Sequence, residues 1–366
     1  MKLSFNASTT FFILHCLILQ ISLAAAEESE CEMKGESDDE NKPLALRLKI
    51  GAIFAILFAS FAGVVIPIFG RSYAILAPGS NLFFILKSFA GGVLLAVGLI
   101  HILPESFEKL GSPCLPEKPW HLFKFAGFIA MLSAIITLMI DSFASGYLKK
   151  SYAENQDKGA ADEMINKTDV EGGSDKNNQA AMHTNSQELI RYRVISQVLE
   201  IGIVIHSMII GIALGTSQSP STIRPLIAAL SFHQFFEGIG LGGCIVQARL
   251  KLSSTVIMAL FFTLTTSVGV IIGIGIASSY NGNSITTLIV QGVLDSSAAG
   301  ILIYMALVDL LAADFMSKEV QKSGKLQIAV NISVLLGAAA MSIIAKWGWI
   351  YRIYCKKRCS LLFVHI

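Results

Sequence analysis

The chain has 366 residues, 53% of them apolar and only 15% charged, with a mean hydropathy of +0.63 and a formal net charge of +2. Soluble proteins carry about a quarter charged residues, so a soluble enzyme or disordered scaffold is a poor fit, and without a basic excess nothing points to nucleic acid. Polar residues gather at 27–49, 105–124 and 148–193 and leave long apolar runs between them. That is the pattern of a polytopic membrane protein whose main surroundings are the lipid bilayer.

Residues 1–26 read as a secretory signal peptide. Lys2 gives a basic start, Phe11 to Leu23 an apolar stretch, and Ala24, Ala25 and Ala26 a small-residue cleavage site before Glu27. The competing reading, a retained first helix, has an apolar run short for a span. Residues 27–49 then form an extracellular N-terminal segment. A bilayer core about 30 Å thick needs about 20 apolar helical residues. On that ruler eight spans are expected, near 50–70, 83–104, 122–147, 195–216, 223–247, 255–277, 287–311 and 326–347. Helices 1–3 fill 50–147 and helices 4–8 fill 195–347. The runs lack the alternation of a lipid-facing barrel, so the expected class is all-α.

Basic residues orient the bundle, because cytosolic loops are enriched in Lys and Arg. With both mature termini outside, the inner loops carry Arg71, Lys149, Lys150, Arg191, Arg193, Arg249, Lys251, Lys318, Lys322 and Lys325. The outer interhelical loops carry only Lys109, Lys118, Lys124 and Arg224. Lys356, Lys357 and Arg358, in the tail 348–366, run against this assignment. The polar stretch 148–194 is expected to be a disordered cytosolic loop. Cys31 and Cys114 both face the oxidising side and can form a disulfide, with Cys355 and Cys359 as competing partners.

Ionisable residues in the spans are expensive, at about 2.5–3.5 kcal/mol each at mid-bilayer, and so are functional candidates. The fifth span reads Ser231-Phe232-His233-Gln234-Phe235-Phe236-Glu237-Gly238. His233 and Glu237, four apart, share one helix face. They can form a simple hydrogen-bonded pair or ligate a transition metal. The fourth span adds His206-Ser207 at its middle, and the short loop between the two spans makes them antiparallel neighbours. His206, His233 and Glu237 are therefore expected to converge on one ion. Gly211 and Gly215, Gly238 and Gly242, and Gly269 and Gly273 have the spacing that lets helices approach closely in lipid. His101 and Glu105 repeat the four-residue spacing at the outer end of the second span, where Pro104 ends or bends the helix. Asp141 and Asp309 lie near inner helix ends.

Together these segments resemble the ZIP (Zrt/Irt-like protein) family of divalent-metal transporters, in particular its plant iron- and zinc-uptake members. The resemblance runs over nearly the whole mature chain. It rests on His206-Ser207 with Gly211 and Gly215, on His233-Gln234-Phe235-Phe236-Glu237-Gly238, and on His101-Ile102-Leu103-Pro104-Glu105-Ser106-Phe107. Pro119-Trp120-His121, Ile140-Asp141-Ser142, Tyr304-Met305-Ala306-Leu307-Val308-Asp309 and Ile343-Ile344-Ala345-Lys346-Trp347 add to it. The resemblance implies an eight-helix bundle with both termini outside and metal held by His206, His233 and Glu237. It implies metal passage past His101, Glu105 and Asp141, and alternating access by movement of one helix bundle against another. Ser207 and Gln234 stand where some members carry Asn and Asp ligands of a second metal, and are weaker donors. Residues 148–193 hold only His183 where members often have a His-rich loop, and the sixth span reads Thr265-Thr266-Ser267-Val268 where plant members usually have Pro after the threonines.

The expected activity is uptake of Zn²⁺ or Fe²⁺, with Mn²⁺ and Cd²⁺ as further candidates, into the cytosol across the plasma membrane. No prosthetic group is expected, and a homodimer is compatible with the sequence. Glu27, Glu28, Glu30 and Glu32 attract cations, His101 and Glu105 receive them, and Asp309 lies toward the exit. No Walker-type phosphate loop is present, and an inside-negative potential of 100 mV supplies about 4.6 kcal/mol per divalent ion. Two other classes are an intramembrane zinc metalloprotease and a metal receptor that does not transport. The first needs His-Glu-x-x-His on one helix, whereas Gln234 follows His233.

Overall fold

The computed structural model describes residues 41–143, 146, 176–277 and 285–363, and among these no strand occurs. Eight long helices make up the described chain: α1 Lys42–Gly70, α2 Asn81–Leu110, α3 Phe125–Phe143, α4 Lys176–Thr216, α5 Pro220–Ala248, α6 Leu252–Ile276, α7 Ile285–Phe315 and α8 Gly324–Phe363. Their starts are written locally. Asn41 caps α1 by accepting from the Leu44 amide at 3.1 Å, and Pro43 sits in the first turn where its missing N–H costs nothing. Ser80 caps α2 through the Phe83 amide at 3.2 Å, and Pro220 opens α5.

All except α5 are long and apolar enough to cross a membrane. By length α5 qualifies too, but it carries Arg224, His233, Gln234 and Glu237 and is the most thoroughly buried of the set. It can carry these polar groups because His233, Gln234 and Glu237 face protein and are buried rather than turned to lipid. The outward surface is inverted relative to a soluble protein. Phe54, Phe58 and Phe61 of α1, Leu138 and Met139 of α3, Ile257 and Ile271 of α6, and Leu335 and Ile343 of α8 are exposed. A continuous apolar surface of this extent belongs against lipid. The protein is an all-α polytopic membrane protein.

The helices fall into two groups, each sealed by close backbone approach. A methyl group added at Gly63 of α1 would run into the Phe235 carbonyl of α5, and one at Gly215 of α4 into the Val270 carbonyl of α6. In the same way Gly92 of α2 meets the Val334 carbonyl of α8, and Gly300 of α7 the Ala130 carbonyl of α3. So α1, α4, α5 and α6 interlock, as do α2, α3, α7 and α8. The seam between the groups is made of side chains instead: Gly202 of α4 faces Ile301 and Met305 of α7, and Gly240 of α5 faces Leu310. Leu94, Val97, Leu199, Ile203, Leu241 and Leu302 fill the core along this seam.

Two departures from the sequence reading concern helix ends. The stretch 148–194 was expected to be disordered, but its last part, from Lys176, belongs to α4. After Gly173 no Gly or Pro interrupts it, and Ala180, Ala181, Met182, Gln187, Glu188 and Leu189 favour helix, so the apolar span propagates backwards. Likewise α8 runs on to Phe363 through most of the expected tail. At 1.5 Å per residue both helices are about 60 Å long, twice the hydrocarbon core, so each projects well beyond it. The expected signal peptide, Glu27, Glu28, Glu30, Glu32 and most of the polar loop lie outside the described residues.

Candidate metal centre

α4 and α5 are joined by three residues, 217–219, so they run antiparallel and residues at similar distances from that connection lie at similar depth. This brings His206 of α4 to His233 and Glu237 of α5. The rings of His206 and His233 are 5.9 Å apart centre to centre, and His206 Nε2 is 3.9 Å from Glu237 Oε1. One ligand atom from each of the three residues lies within 4.8 Å of the other two. All three are essentially inaccessible, at 1%, 1% and 0% exposure. Ligands 2.1 Å from a tetrahedrally bound ion are about 3.4 Å apart, so small side-chain rotations close the trio on one cation.

Buried polar atoms nearly always have a hydrogen-bond partner. Here His206 Nε2, His233 Nδ1 and both Glu237 carboxylate oxygens have none among the described residues. The same holds for the neighbouring Ser207 hydroxyl and the Gln234 amide nitrogen. Two imidazoles and a carboxylate turned inward without protein partners are the donor set of a borderline divalent metal such as Zn²⁺ or Fe²⁺, and suit Ca²⁺ or Mg²⁺ poorly. Ser207 and Gln234, each next to a histidine, are buried and can contribute only neutral oxygens.

At one end of the bundle α2 carries His101 and Glu105. Pro104 offers no amide to the helix, and the chain relaxes into a π turn over Val97–Ile102, with the Leu103 amide bonded to the Gly98 carbonyl. That turn aims His101 at the centre: its ring lies 6.3 Å from that of His233. His101 Nδ1 is 3.5 Å from Glu105 Oε1, and the pair is partly open to solvent, at 12% and 41% exposure. A line of side chains therefore leads from the surface through Glu105 and His101 to His233. One turn further, Lys109 reaches Asp295 of α7 at 2.5 Å, and Ser106 bonds to Ser296.

At the other end Asp309 is buried in a second π turn, Met305–Ala312. Such insertions recur at functional sites. Asp141, expected on the path, stands apart from the cluster: it accepts a hydrogen bond from the Tyr304 hydroxyl at 3.1 Å and ties α3 to α7. Cys114 is disulfide-bonded, while Cys31 lies outside the described residues. The sequence reading overlooked Lys87, a lysine buried within α2 and ion-paired to Asp314 at 2.9 Å. The rule that singled out the other buried ionisable residues applies to it equally, since it lies several residues inside the span.

A helical bundle exposing apolar flanks to lipid and gathering two imidazoles and a carboxylate at its centre defines a membrane protein that handles divalent metal ions. The chain belongs to the ZIP zinc transporter family, whose model matches residues 46–345. It is 52% identical over 355 residues to zinc transporter 9 of Oryza sativa subsp. japonica, a match covering 91% of this chain and 98% of that protein. To zinc transporter 5 of the same plant it is 50% identical over 352 residues, covering 93% and 99%. To Fe(2+) transport protein 1 of Arabidopsis thaliana it is 46% identical over 342 residues, covering 93% and 97%. These findings bear out the expected family, and with it divalent metal transport; the chain is a transporter and not an enzyme.

Proposed function

We propose that the protein carries Zn²⁺ or Fe²⁺ from the outside of the plasma membrane into the cytosol, with His206, His233 and Glu237 as the central binding site. The observation that carries this reading is the buried trio itself, three inward-facing donors on two antiparallel helices with no other partner. Both mature termini lie outside, as the excess of Lys and Arg in the alternate loops requires, and the eight helices each cross the bilayer. Ions arrive past Glu105 and His101, lose water to the imidazoles, and leave toward Asp309. Mn²⁺ and Cd²⁺ compete, because the same donor set accepts them. Relatives named for zinc and for Fe²⁺ support this substrate range. A homodimer would use part of the apolar face that otherwise meets lipid.

The two interlocked helix groups supply the moving parts. Their seam is built of side chains, so one group can shift against the other without parting backbone contacts within either. Because α4 and α5 share one group, the site travels intact. Competitive uptake of radioactive Zn²⁺, Fe²⁺, Mn²⁺ and Cd²⁺ into cells expressing the protein, beside the Glu237→Gln variant, tests the reading. Metal binding with no net flux would make the protein a receptor and refute it.

A further inference from the structure

Lys87 is the most deeply buried lysine among the described residues, and no step described so far uses it. Its ammonium bonds to Asp314 Oδ1 at 2.9 Å and to Gln247 Oε1 at 2.7 Å, and it lies 5.3 Å from the centre of the Tyr192 ring. Lys87 and Asp314 belong to α2 and α7, which sit in one helix group. Gln247 and Tyr192 belong to α5 and α4, in the other. The side-chain stem crosses the seam beside Gly243, where an added Cβ would lie 3.5 Å from Lys87 Cδ. On the far side Arg193 Nε donates to the Ala248 carbonyl at 3.2 Å and ties α4 to the end of α5.

We propose that Lys87 is the latch of the inner exit, holding the two helix groups together through Gln247 and Tyr192 until the ion is to be released; this rests on the transport reading above. In the described state that end is shut, with Lys87, Asp309 and Asp314 all about 1% exposed. The mouth around His101 and Glu105, by contrast, is partly open. The chemistry of the latch suits repeated use. Asp314 rides in the same group as Lys87, so separation breaks the bond to Gln247 and the contact with Tyr192 but leaves the ion pair whole. No charge is stranded in a medium that penalises unpaired charge severely. A cross-seam ion pair would have made opening far slower, whereas a single charge-assisted hydrogen bond shifts the balance about ten- to a hundredfold.

Cys244 is a native reporter of this event. Its thiol is free and fully buried, and it follows Gly243, the residue against which the Lys87 stem lies. The experiment uses the full-length protein with Cys355 and Cys359 replaced by serine, in inside-out membrane vesicles treated with a membrane-impermeant maleimide. Gln247→Leu removes the cross-seam acceptor and keeps the ion pair, and is expected to raise the labelling rate of Cys244 about tenfold or more. Gln247→Glu adds a second carboxylate across the seam, and is expected to slow labelling below the wild-type rate. The near-isosteric Gln247→Glu protein guards against misfolding as the cause, and a matching detergent size-exclusion profile checks both. Equal labelling in all three proteins overturns the latch. Labelling needs no metal flux, so a failure here is distinct from a failure of the transport reading, which the Glu237→Gln uptake measurement decides.

Discussion

Glu237→Gln is the sharpest probe of the centre, because it removes one charge and almost no volume. The carboxylate is fully buried, with one oxygen 3.9 Å from His206 Nε2 and neither oxygen hydrogen-bonded. Unit charges 4 Å apart attract by about 4 kcal/mol at an effective dielectric of about 20, hence about 8 kcal/mol for a divalent ion. Holding the carboxylate out of water removes several kcal/mol of that. A net of about 3 kcal/mol remains, equivalent to roughly a hundredfold in affinity. Uptake of Zn²⁺ at micromolar concentration should therefore fall to background, while surface abundance, measured by biotinylation, stays at the wild-type level. Thermal stability of the purified apo protein should hold or rise, since an unpaired buried carboxylate is replaced by a neutral amide. Wild-type uptake by this variant would refute the claim that the trio binds the transported ion.

Other substitutions separate the remaining roles. His101→Ala should raise the apparent KM for Zn²⁺ about three- to tenfold with a smaller loss of maximal rate, read from radiometal uptake, because His101 lies on the approach and outside the trio. Gln234→Asp supplies an anionic oxygen beside His233 and should shift preference among Zn²⁺, Fe²⁺ and Mn²⁺ in competition assays; complete loss of transport would instead make Gln234 essential. Gly215→Leu places a side chain where the Val270 carbonyl stands, and should abolish folded protein in fluorescence size-exclusion, while Gly275→Leu, next to open space, should not.

How far the sequence reveals this molecule depends on whether a feature is local. His233 and Glu237 are legible because four residues make one helical turn, and His206 because a short connection forces its helix alongside at matching depth. The spacing of small residues is legible in the same way, but not which helices it joins: Gly211 and Gly215 meet Gly269 and Gly273. Apolar length marks 223–247 as a span like the others, and the ionisable pair within it marks α5 as the helix that carries most of the site. What escaped depends on relations between distant segments. Asp141 reads in its own helix only as an acid near a helix end, and its bond to Tyr304, 163 residues away, which ties α3 to α7, is visible only in the fold. The backward extension of α4 escaped because a polar composition reads as disorder even where nothing breaks the helix.

The same contrast separates a lysine's position in its helix from its partner. Near a span end a lysine is ordinarily taken to snorkel, its stem in lipid and its ammonium in water. Lys87 lies inside the span and α2 also carries His101 and Glu105, which mark it as facing protein, but neither fact names the partner. Once α7 is beside it, both ammonium groups point inward: Lys87 to Asp314 and Lys109 to Asp295, at opposite ends of the same helix pair. Two ion pairs inside one helix group add rigidity along the full depth of the bilayer without touching the transported ion. A bundle whose metal site must travel needs such a frame, because a site that moves in one group gains access to alternate sides only if the other group stays fixed. Among the described residues Lys87 adds one further bond across the seam, to Gln247, and Lys109 does not, so the two groups are tied at the Lys87 end and lack that tie at the His101 end.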